Sequence, residues 1–274
     1  PAHPPTSPAV APTAVDPCRG TAPPARWSHV VWVVMENRGL DQIEGNPAAP
    51  YLNRLGAECG LATDYSAVAH PSLPNYIALT SGSTQGIADD AGPDVHPLTA
   101  PSIFGLLGPG WRALEESMPA PCDRQSGGEY AVKHNPAGYY TAVTSRCAAQ
   151  DVPLTDPPDL SAPFTFITPN LCDDMHDCST AAGDAWLARE VPAILDSAEY
   201  RSGGTALFVT WDENDAGGTL VPLYVVAPSV PPGVKVASPL DHYSLLRTTE
   251  EMLGLTPLLG QAATAPGMGG AFHL

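Results

Sequence analysis

Runs of apolar residues mark the positions of the predicted strands. Residues 29–35 are almost continuously apolar, which is typical of a strand that is buried on both faces of a parallel sheet. Further runs rich in apolar and β-branched residues occupy 164–168, 206–211 and 223–227. The pattern therefore predicts a strand at each of these runs.

Helical spacing of apolar residues lies between and after these runs. The helices predicted from it cover residues 50–57, 73–80, 180–198 and 240–255. Pro74 falls in the first turn of the second helix, where proline is tolerated, whereas Pro192 argues against an unbroken third helix. Strands that alternate with helices predict an α/β fold with a mostly parallel central sheet and helices on both faces.

The distribution of proline divides the chain further. Residues 1–26 are rich in Pro and Ala, which predicts an extended N-terminal segment with little to bury and resembles the start of an exported protein after removal of its signal. Residues 27–274 are expected to form a single domain. Within it, residues 91–163 hold many of the 32 prolines and are expected to form a loop-rich insertion.

The cysteines point to an oxidising compartment. There are six, and none belongs to a CxxC pair of the kind that clusters around zinc or iron–sulfur centres. Disulfide bonds, and hence a secreted or extracytoplasmic protein, are the better interpretation. The spacing leaves the pairing open. The order along the chain favours Cys18–Cys59, Cys122–Cys147 and Cys172–Cys178.

The charge balance excludes one class of partner. The chain has 12 Lys and Arg against 29 Asp and Glu, a net charge of −17, and Lys133 and Lys235 are its lysines. No basic surface that could neutralise a phosphate polymer can be built from so few cations, so nucleic acid is not expected as a partner. The longest apolar runs are also much shorter than the roughly 20 residues of a membrane span, so none is expected.

Polar residues follow two of the predicted strands directly. Glu36 and Asn37 come after the first run, and Asp212 and Glu213 come after the third. Parallel strands place their carboxyl ends at one edge of the sheet, where α/β proteins bind ligands. Oxygen ligands gathered there would suit a hard divalent cation. The alternative is that these are solvated loop acids in a very acidic protein, and position alone favours neither.

A serine and several histidines lie at other predicted element ends. Ser72 immediately precedes the helix predicted at 73–80, where free amides favour an anion. Taken alone, a serine there is more often an N-cap. His134 lies in the expected insertion, and His176 follows the strand predicted at 164–168 between two cysteines. A single histidine in such places is more often a structural hydrogen-bonding group than a catalyst.

Six short motifs nevertheless occur together in a recognisable order. They are Val33–Val34–Met35–Glu36–Asn37, His70–Pro71–Ser72–Leu73–Pro74–Asn75–Tyr76, Lys133–His134–Asn135–Pro136, Met175–His176–Asp177, Thr210–Trp211–Asp212–Glu213 and Asp241–His242–Tyr243–Ser244–Leu245–Leu246–Arg247–Thr248. Each motif is weak alone, but the ordered set resembles the phosphoesterase family that contains bacterial acid phosphatases and phospholipases C. That resemblance implies an alkaline phosphatase-like fold.

The resemblance also implies roles for individual residues. Ser72 corresponds to the nucleophile, which also contacts the metal, and His134 and His176 correspond to histidines of the phosphate pocket. We expect His176 to protonate the leaving oxygen. The residues expected to bind the substrate phosphate are Lys133, His134 and Asn75. The residues expected to hold one divalent metal ion (Ca, Mg, Mn or Zn) are Glu36, Asn37, Ser72, Asp212 and Glu213.

The function expected from these roles is a secreted, metal-dependent phosphatase that acts on small phosphate monoesters through a phosphoserine intermediate. Two histidines that gain charge near pH 6 predict a mildly acidic optimum. A phosphodiesterase or phospholipase C on the same scaffold is the first alternative. It is weakened because Asn214 to Gly218 here replace the His-Gly-Gly that often follows Asp-Glu in phospholipases. A non-catalytic metal- or phosphate-binding protein is the second alternative. The oligomeric state is not predicted.

Overall fold

A computed structural model describes residues 16–274. The strands in this part of the chain are β1 (His29–Met35), β2 (Gly60–Ala62), β3 (Tyr65–Ser66), β4 (Trp111–Glu115), β5 (Asp151–Pro153), β6 (Phe164–Thr168), β7 (Thr205–Trp211), β8 (Leu223–Val226), β9 (Lys235–Val236) and β10 (Leu240–Asp241). The α-helices there are α1 (Leu40–Ile43), α2 (Pro50–Glu58), α3 (Ser72–Ser81), α4 (Ile103–Leu107), α5 (Cys147–Gln150), α6 (Thr180–Leu195), α7 (Ala198–Arg201), α8 (His242–Leu253) and α9 (Gly269–Phe272). Short 3-10 helices cover Val132–His134, Pro136–Tyr139, Thr141–Val143 and Gly260–Ala263.

The central sheet has eight strands in the order β5-β4-β6-β1-β7-β8-β2-β9. Strand β1 pairs in parallel with both β6 and β7, and β4 continues the parallel arrangement from β6 to β5. Strand β8 runs antiparallel to its two neighbours, β7 and β2. The sheet is therefore mostly parallel, as predicted.

Burial along β1 shows how the sheet is covered. Successive side chains of a strand point to opposite faces, yet every residue from Val30 to Met35 is buried. Both faces of the sheet are consequently covered by other elements. Helix α3 packs against α8, and α2 packs against α6. The predicted α/β class is confirmed.

The elements with long apolar patterns match the prediction closely. The strands predicted at 29–35, 164–168, 206–211 and 223–227 all form, with ends that differ by at most one residue. The helices predicted at 50–57, 73–80 and 240–255 form with ends that differ by one or two residues. Helix α6 runs through Pro192 and ends at Leu195, and α7 follows as a separate helix.

The segment 91–163 contains more regular structure than the sequence predicted. Besides loops and 3-10 helices, it supplies β4 and β5, which form one edge of the central sheet. Arg112 and Glu115 interrupt the apolar pattern of β4, and β5 is only three residues long. Neither strand therefore has the uninterrupted apolar run by which the other strands were recognised.

Three disulfides join the pairs that chain order favoured, Cys18–Cys59, Cys122–Cys147 and Cys172–Cys178. The first bond ties the segment before β1 to the end of α2. That segment, residues 16–26, has neither helix nor strand, and the rest of the predicted extended segment, residues 1–15, lies outside the described residues. Among the helices of residues 16–274, none has the length and apolar character needed to cross a membrane.

Candidate active site

The paired strands β1 and β7 bring the two acidic motifs together. Met35 lies opposite Trp211 in the parallel register, so Glu36 and Asp212 leave the sheet side by side at its carboxyl edge. The backbone N–H of Asn37 donates to Oδ1 of Asp212 at 3.3 Å. Asn37 adopts a positive φ of 61°, a conformation that Asn tolerates better than most residues, and the chain turns there.

Ser72 is the first residue of α3 and is buried. Its Oγ lies 3.1 Å from Oε2 of Glu36 and 3.3 Å from Oε1 of Glu213. A hydroxyl has one hydrogen, so it donates to one of the two carboxylates at a time. The structure thus places the serine hydroxyl between residues from the carboxyl ends of β1 and β7.

Asn75 holds the loop that leads into Ser72. Its Oδ1 accepts from the Val68 and Ala69 amides, and its Nδ2 donates to the carbonyls of Ala69 and Pro71. These contacts use both amide hydrogens and both lone pairs of the side chain. Asn75, expected from the sequence to bind substrate, is therefore engaged in positioning the serine loop, which leaves no polar group of its side chain free for a substrate.

The three carboxyl groups around Ser72 repel one another. Burial is the largest cause that raises the pKa of Glu36, Asp212 and Glu213. The pKa of Asp212 is raised further by the charges of Glu36 and Glu213, whereas contacts from His70 and Ser72 lower that of Glu213. Oδ2 of Asp212 is buried without a hydrogen-bond partner. Buried carboxylates of this kind fit a cation, because a positive charge would offset both the repulsion and the desolvation.

His134 lies between the carboxylates of Glu36 and Asp174. Its Nε2 is 3.0 Å from Oε1 of Glu36, and its Nδ1 is 3.2 Å from Oδ2 of Asp174. The imidazole stacks on the ring of Tyr76 at 5.3 Å, and the Tyr76 hydroxyl donates to Oε1 of Glu36 at 2.8 Å. Burial lowers the pKa of His134 well below its ordinary value.

Lys133 and His176 supply the polar rim next to this buried group. The ammonium of Lys133 is 3.1 Å from Oδ2 of Asp90 and 3.4 Å from Nε2 of His176. Burial acts to lower the pKa of Lys133, but the charges of Glu36 and Asp90 outweigh it and raise that pKa. The other oxygen of Asp90 accepts from the Leu73 amide at 3.0 Å. Lys133 is therefore held close to the N-terminus of α3.

Two overlapping groups of side chains could hold a cation. The first group is Glu36, Asp212 and Glu213, of which Glu36 and Glu213 lie within hydrogen-bond distance of Ser72 Oγ. In addition, one ligand atom from each of Glu36, His134 and His176 lies within 4.8 Å of the others. The first group offers oxygen only, and the second adds imidazole nitrogen. The two groups share Glu36, which lies between them.

His242 holds the backbone of Asp212 through a hydrogen bond. Its Nε2 lies 2.6 Å from the carbonyl of Asp212, and its Nδ1 lies 2.8 Å from the hydroxyl of Tyr65. Burial lowers the pKa of His242 to about 4, so the ring is neutral. A neutral ring donates from one nitrogen only, and the carbonyl can only accept. Nε2 is therefore the donor, and Nδ1 accepts from Tyr65.

Sequence reasoning missed several residues of the site. Asp90 and Asp174 were not assigned roles, although Asp174 lies two residues before His176 in the loop that follows β6. Tyr76 and His242 lay within the recognised motifs, but their contacts depend on packing between elements distant in the chain. His70 contacts Oε2 of Glu213 and was likewise not assigned. Asp174, His70, Tyr76 and His242 lie within or next to the motifs, a signal that could have identified them, whereas Asp90 lies outside every motif.

Comparison with known proteins shows the family of the chain. The model of the Phosphoesterase family matches residues 46–256, so the chain belongs to that family. It is 36% identical over 248 residues to the phosphatidylinositol-3-phosphatase of Mycobacterium tuberculosis (strain ATCC 25618 / H37Rv), a match that covers 88% of this chain and 81% of the relative. It is 28% identical to the phosphate-repressible acid phosphatase of Penicillium chrysogenum, covering 82% of this chain but 60% of that protein's length.

Solved structures support the fold. A protein of the alkaline phosphatase superfamily from Vibrio parahaemolyticus superposes with a TM-score of 0.60 and 14% sequence identity, covering 95% of this chain and 75% of the other. At that identity the likeness shows the fold alone, and it confirms the predicted alkaline phosphatase-like architecture. The family and its named phosphatases identify the chain as a hydrolase of phosphate ester bonds.

Proposed function

We propose that the chain is an extracytoplasmic, metal-dependent phosphatase that hydrolyses phosphate monoesters with Ser72 as its nucleophile. The observation that carries the proposal is the position of the Ser72 hydroxyl. It is buried at the N-terminus of α3, within hydrogen-bond distance of Glu36 and Glu213. The Lys133 ammonium is held near the same helix end through Asp90, where a phosphate group is favoured.

The donor set around Ser72 fits a divalent cation. Glu36, Asp212 and Glu213, joined by the side chain of Asn37 and the hydroxyl of Ser72, would hold it. Such an oxygen-rich set favours Ca, Mg or Mn, whereas Glu36, His134 and His176 would suit Zn. A cation in this place supplies positive charge to the phosphoryl oxygens and lowers the pKa of a neighbouring hydroxyl.

The chain's own residues then have distinct tasks. Ser72 Oγ forms a bond to phosphorus while the bond from phosphorus to the alcohol oxygen breaks, and the hydroxyl proton passes to Glu36 or Glu213. His176 donates a proton to the departing alkoxide oxygen. Water next attacks phosphorus and gives a proton back to His176, while the bond from phosphorus to Ser72 Oγ breaks. Inorganic phosphate leaves, and Ser72 regains the proton held by Glu36 or Glu213. Lys133 orients the phosphate oxygens throughout, and buried His134 fixes Glu36 through the contact between Nε2 and Oε1.

The relatives favour a monoester substrate. The mycobacterial relative is named as a phosphatidylinositol-3-phosphatase, and the Penicillium relative is named as a phosphate-repressible acid phosphatase. From these names we infer that the substrate is a phosphate monoester of an alcohol. A monoester carries more negative charge than a diester, which suits a site where Lys133, His176 and a cation converge. The three disulfides support an extracytoplasmic location.

Turnover of an aryl monophosphate tests the proposal. We expect wild-type protein to turn over this ester faster than a bis-aryl phosphate, to lose activity after exhaustive chelation and to regain it when one divalent metal is restored. Ser72→Ala should lose nearly all activity while keeping its fold. The matched control is Ser81→Ala, which changes a buried serine at the other end of α3, where Oγ donates to the Ile77 carbonyl.

The outcomes separate the alternatives. Faster turnover of the bis-aryl ester at every pH would identify a phosphodiesterase. Metal or phosphate binding without turnover of either ester would identify a binding protein. Full activity after chelation, with no metal detected by elemental analysis, would contradict metal dependence.

A further inference from the structure

A second pair of buried acids lies away from Ser72, at the edge of the sheet. Glu115 ends β4, and Asp151 begins the neighbouring strand β5. Their exposed fractions are 1% and 0%. Among residues 16–274, neither carboxylate forms a salt bridge with Lys, Arg or His. The mechanism proposed above does not use these two acids.

Asp151 is hydrogen-bonded to Asn135, the residue that follows His134 of the candidate site. Nδ2 of Asn135 lies 2.9 Å from Oδ1 and 3.0 Å from Oδ2 of Asp151. Asn135 is fully buried and immediately follows the 3-10 helix Val132–His134, whose last two residues are Lys133 and His134. The backbone N–H of Asn135 also closes that turn by donating to the Val132 carbonyl at 3.1 Å.

Glu115 lies beside a second support for the same turn. It is in register with Thr168 across β4 and β6, and the Thr168 hydroxyl donates to the carbonyl of His134 at 3.2 Å. The turn is thus held on its carbonyl side by Thr168 and on the following residue by Asp151. Thr168 is the last residue of β6, and Asp151 is the first residue of β5.

Burying Glu115 and Asp151 beside each other lowers the stability of the fold. Burial raises the pKa of Asp151 to about 7, and burial and then the charge of Asp151 raise that of Glu115. Apolar residues of similar volume often stabilise a core as well as or better than buried ionisable groups. Groups that break this rule commonly serve a site, where supporting contacts fix the residues that touch the substrate.

We propose that Asp151 is a positioning residue, which through Asn135 holds the turn that presents Lys133 to the phosphate and His134 to Glu36. The assignment rests on the proposed function for the roles of those two residues. The contact between Asp151 and Asn135 itself is independent of those roles. Loss of that contact would let the turn shift, and a small displacement of binding and reacting groups is enough to lower kcat strongly.

A charge-swap series tests the proposal in the full chain. Asp151→Asn replaces the contact between an amide and a carboxylate with one between two amides. We expect kcat for an aryl monophosphate to fall about 10- to 100-fold, as for other supporting contacts. Asn135→Asp sets three acids together and should also lose activity. The double variant D151N/N135D restores an amide-to-carboxylate contact with the partners exchanged, and should recover most of the lost kcat.

Two controls separate positioning from general damage. Glu115→Gln removes one acid without touching Asn135, so it should raise the melting temperature and leave kcat within about threefold of wild type. Glu250→Gln removes a buried acid in α8, whose Oε1 accepts from the Leu259 amide, and should leave kcat unchanged. Wild-type kcat in Asp151→Asn, or no recovery in the double variant while it melts like wild type, would overturn the proposal.

A readout independent of turnover distinguishes this proposal from the proposed function. The imidazole resonances of His134, assigned by their loss in His134→Gln, should shift in Asp151→Asn and return in the double variant. If wild type fails to hydrolyse any monoester but these shifts occur, the proposed function is wrong and the positioning contact stands. If wild type is active and the resonances do not move, the positioning role is wrong.

Discussion

The hydroxyl of Ser72 shares its hydrogen between two acids that come from different strands. This geometry depends on three residue-scale contacts: the Glu36 and Glu213 carboxylates on the hydroxyl, and the Asn75 amide on the preceding loop. Each side chain here is buried. A buried polar group that loses its partner is costly, so these residues constrain one another to a narrow range of positions.

At the residue scale, the two lysines of the chain provide a matched pair. Lys133→Met should raise KM for an aryl monophosphate about tenfold with a smaller fall in kcat, because the lost cation contacts phosphate in both the bound substrate and the transition state. Lys235→Met is the control, since Lys235 pairs with Glu44 at the surface at 2.6 Å. Steady-state kinetics check this. Equal KM values in the two variants would count against a phosphate contact for Lys133.

At the element scale, each disulfide constrains a different kind of segment. Cys172–Cys178 closes a loop with a sequence separation of 6 that carries Asp174 and His176. Cys18–Cys59 has a sequence separation of 41 and ties the segment before β1 to the end of α2. Chain entropy gives about 2 kcal/mol for the short loop and about 4 kcal/mol for the long one.

The loop lengths and the position of His176 predict that the two double Cys→Ser variants differ in opposite directions in stability and activity. Replacing Cys172 and Cys178 with Ser should cost most of the activity, because the loop that presents His176 is released, and the smaller share of stability, about 2 kcal/mol. Replacing Cys18 and Cys59 with Ser should lower the free energy of unfolding more and kcat less. Denaturant unfolding and kinetics on both variants check the comparison. The reverse ranking would show that the short loop does not position His176.

The elements also show what the sequence could predict. The strands β1, β6, β7 and β8 and the helices α2, α3 and α8 were found because each has an apolar pattern several residues long. The strands β2, β3, β9 and β10 have two or three residues each, too few for any periodicity.

For the site, reasoning from the sequence succeeded where the position of a residue follows from the end of a predicted strand. Glu36 and Asp212 were expected at one sheet edge, because parallel neighbours end together. Asp90, Asp151 and Asp174 could not be found in this way, because each acts through a contact between segments that are distant in the chain. Asn75 was expected at the substrate, but its side-chain amide is hydrogen-bonded to the loop that precedes α3, which composition and spacing do not reveal.

At the scale of the whole molecule, acids buried away from the site should make stability depend on pH. Burial raises the pKa of Glu250 to about 7, from an ordinary value of 4.5. Between these values the folded chain holds a proton that the unfolded chain has released, so the contribution to stability is complete below about pH 4.5 and is lost as pH rises to about 7.

A single variant measures this effect. Relative to Glu250→Gln, wild type should lose about 1–3 kcal/mol of unfolding free energy between pH 4.5 and pH 8. Denaturant unfolding of both proteins at the two pH values checks the difference, and Glu58→Gln on the exposed side of α2 serves as the surface control. Parallel pH profiles for wild type and Glu250→Gln would contradict the raised pKa.

The central claim is that Ser72 attacks the phosphoryl group, and rapid acid quenching of the metal-loaded enzyme tests it most directly. A monoester labelled in its phosphoryl group is mixed with wild type, Ser72→Ala and Ser81→Ala, and the quenched proteins are digested and sequenced by mass spectrometry. We predict label on Ser72 in wild type and in Ser81→Ala, and no labelled peptide in Ser72→Ala. Label on any other residue, or wild-type turnover by Ser72→Ala, would contradict the account.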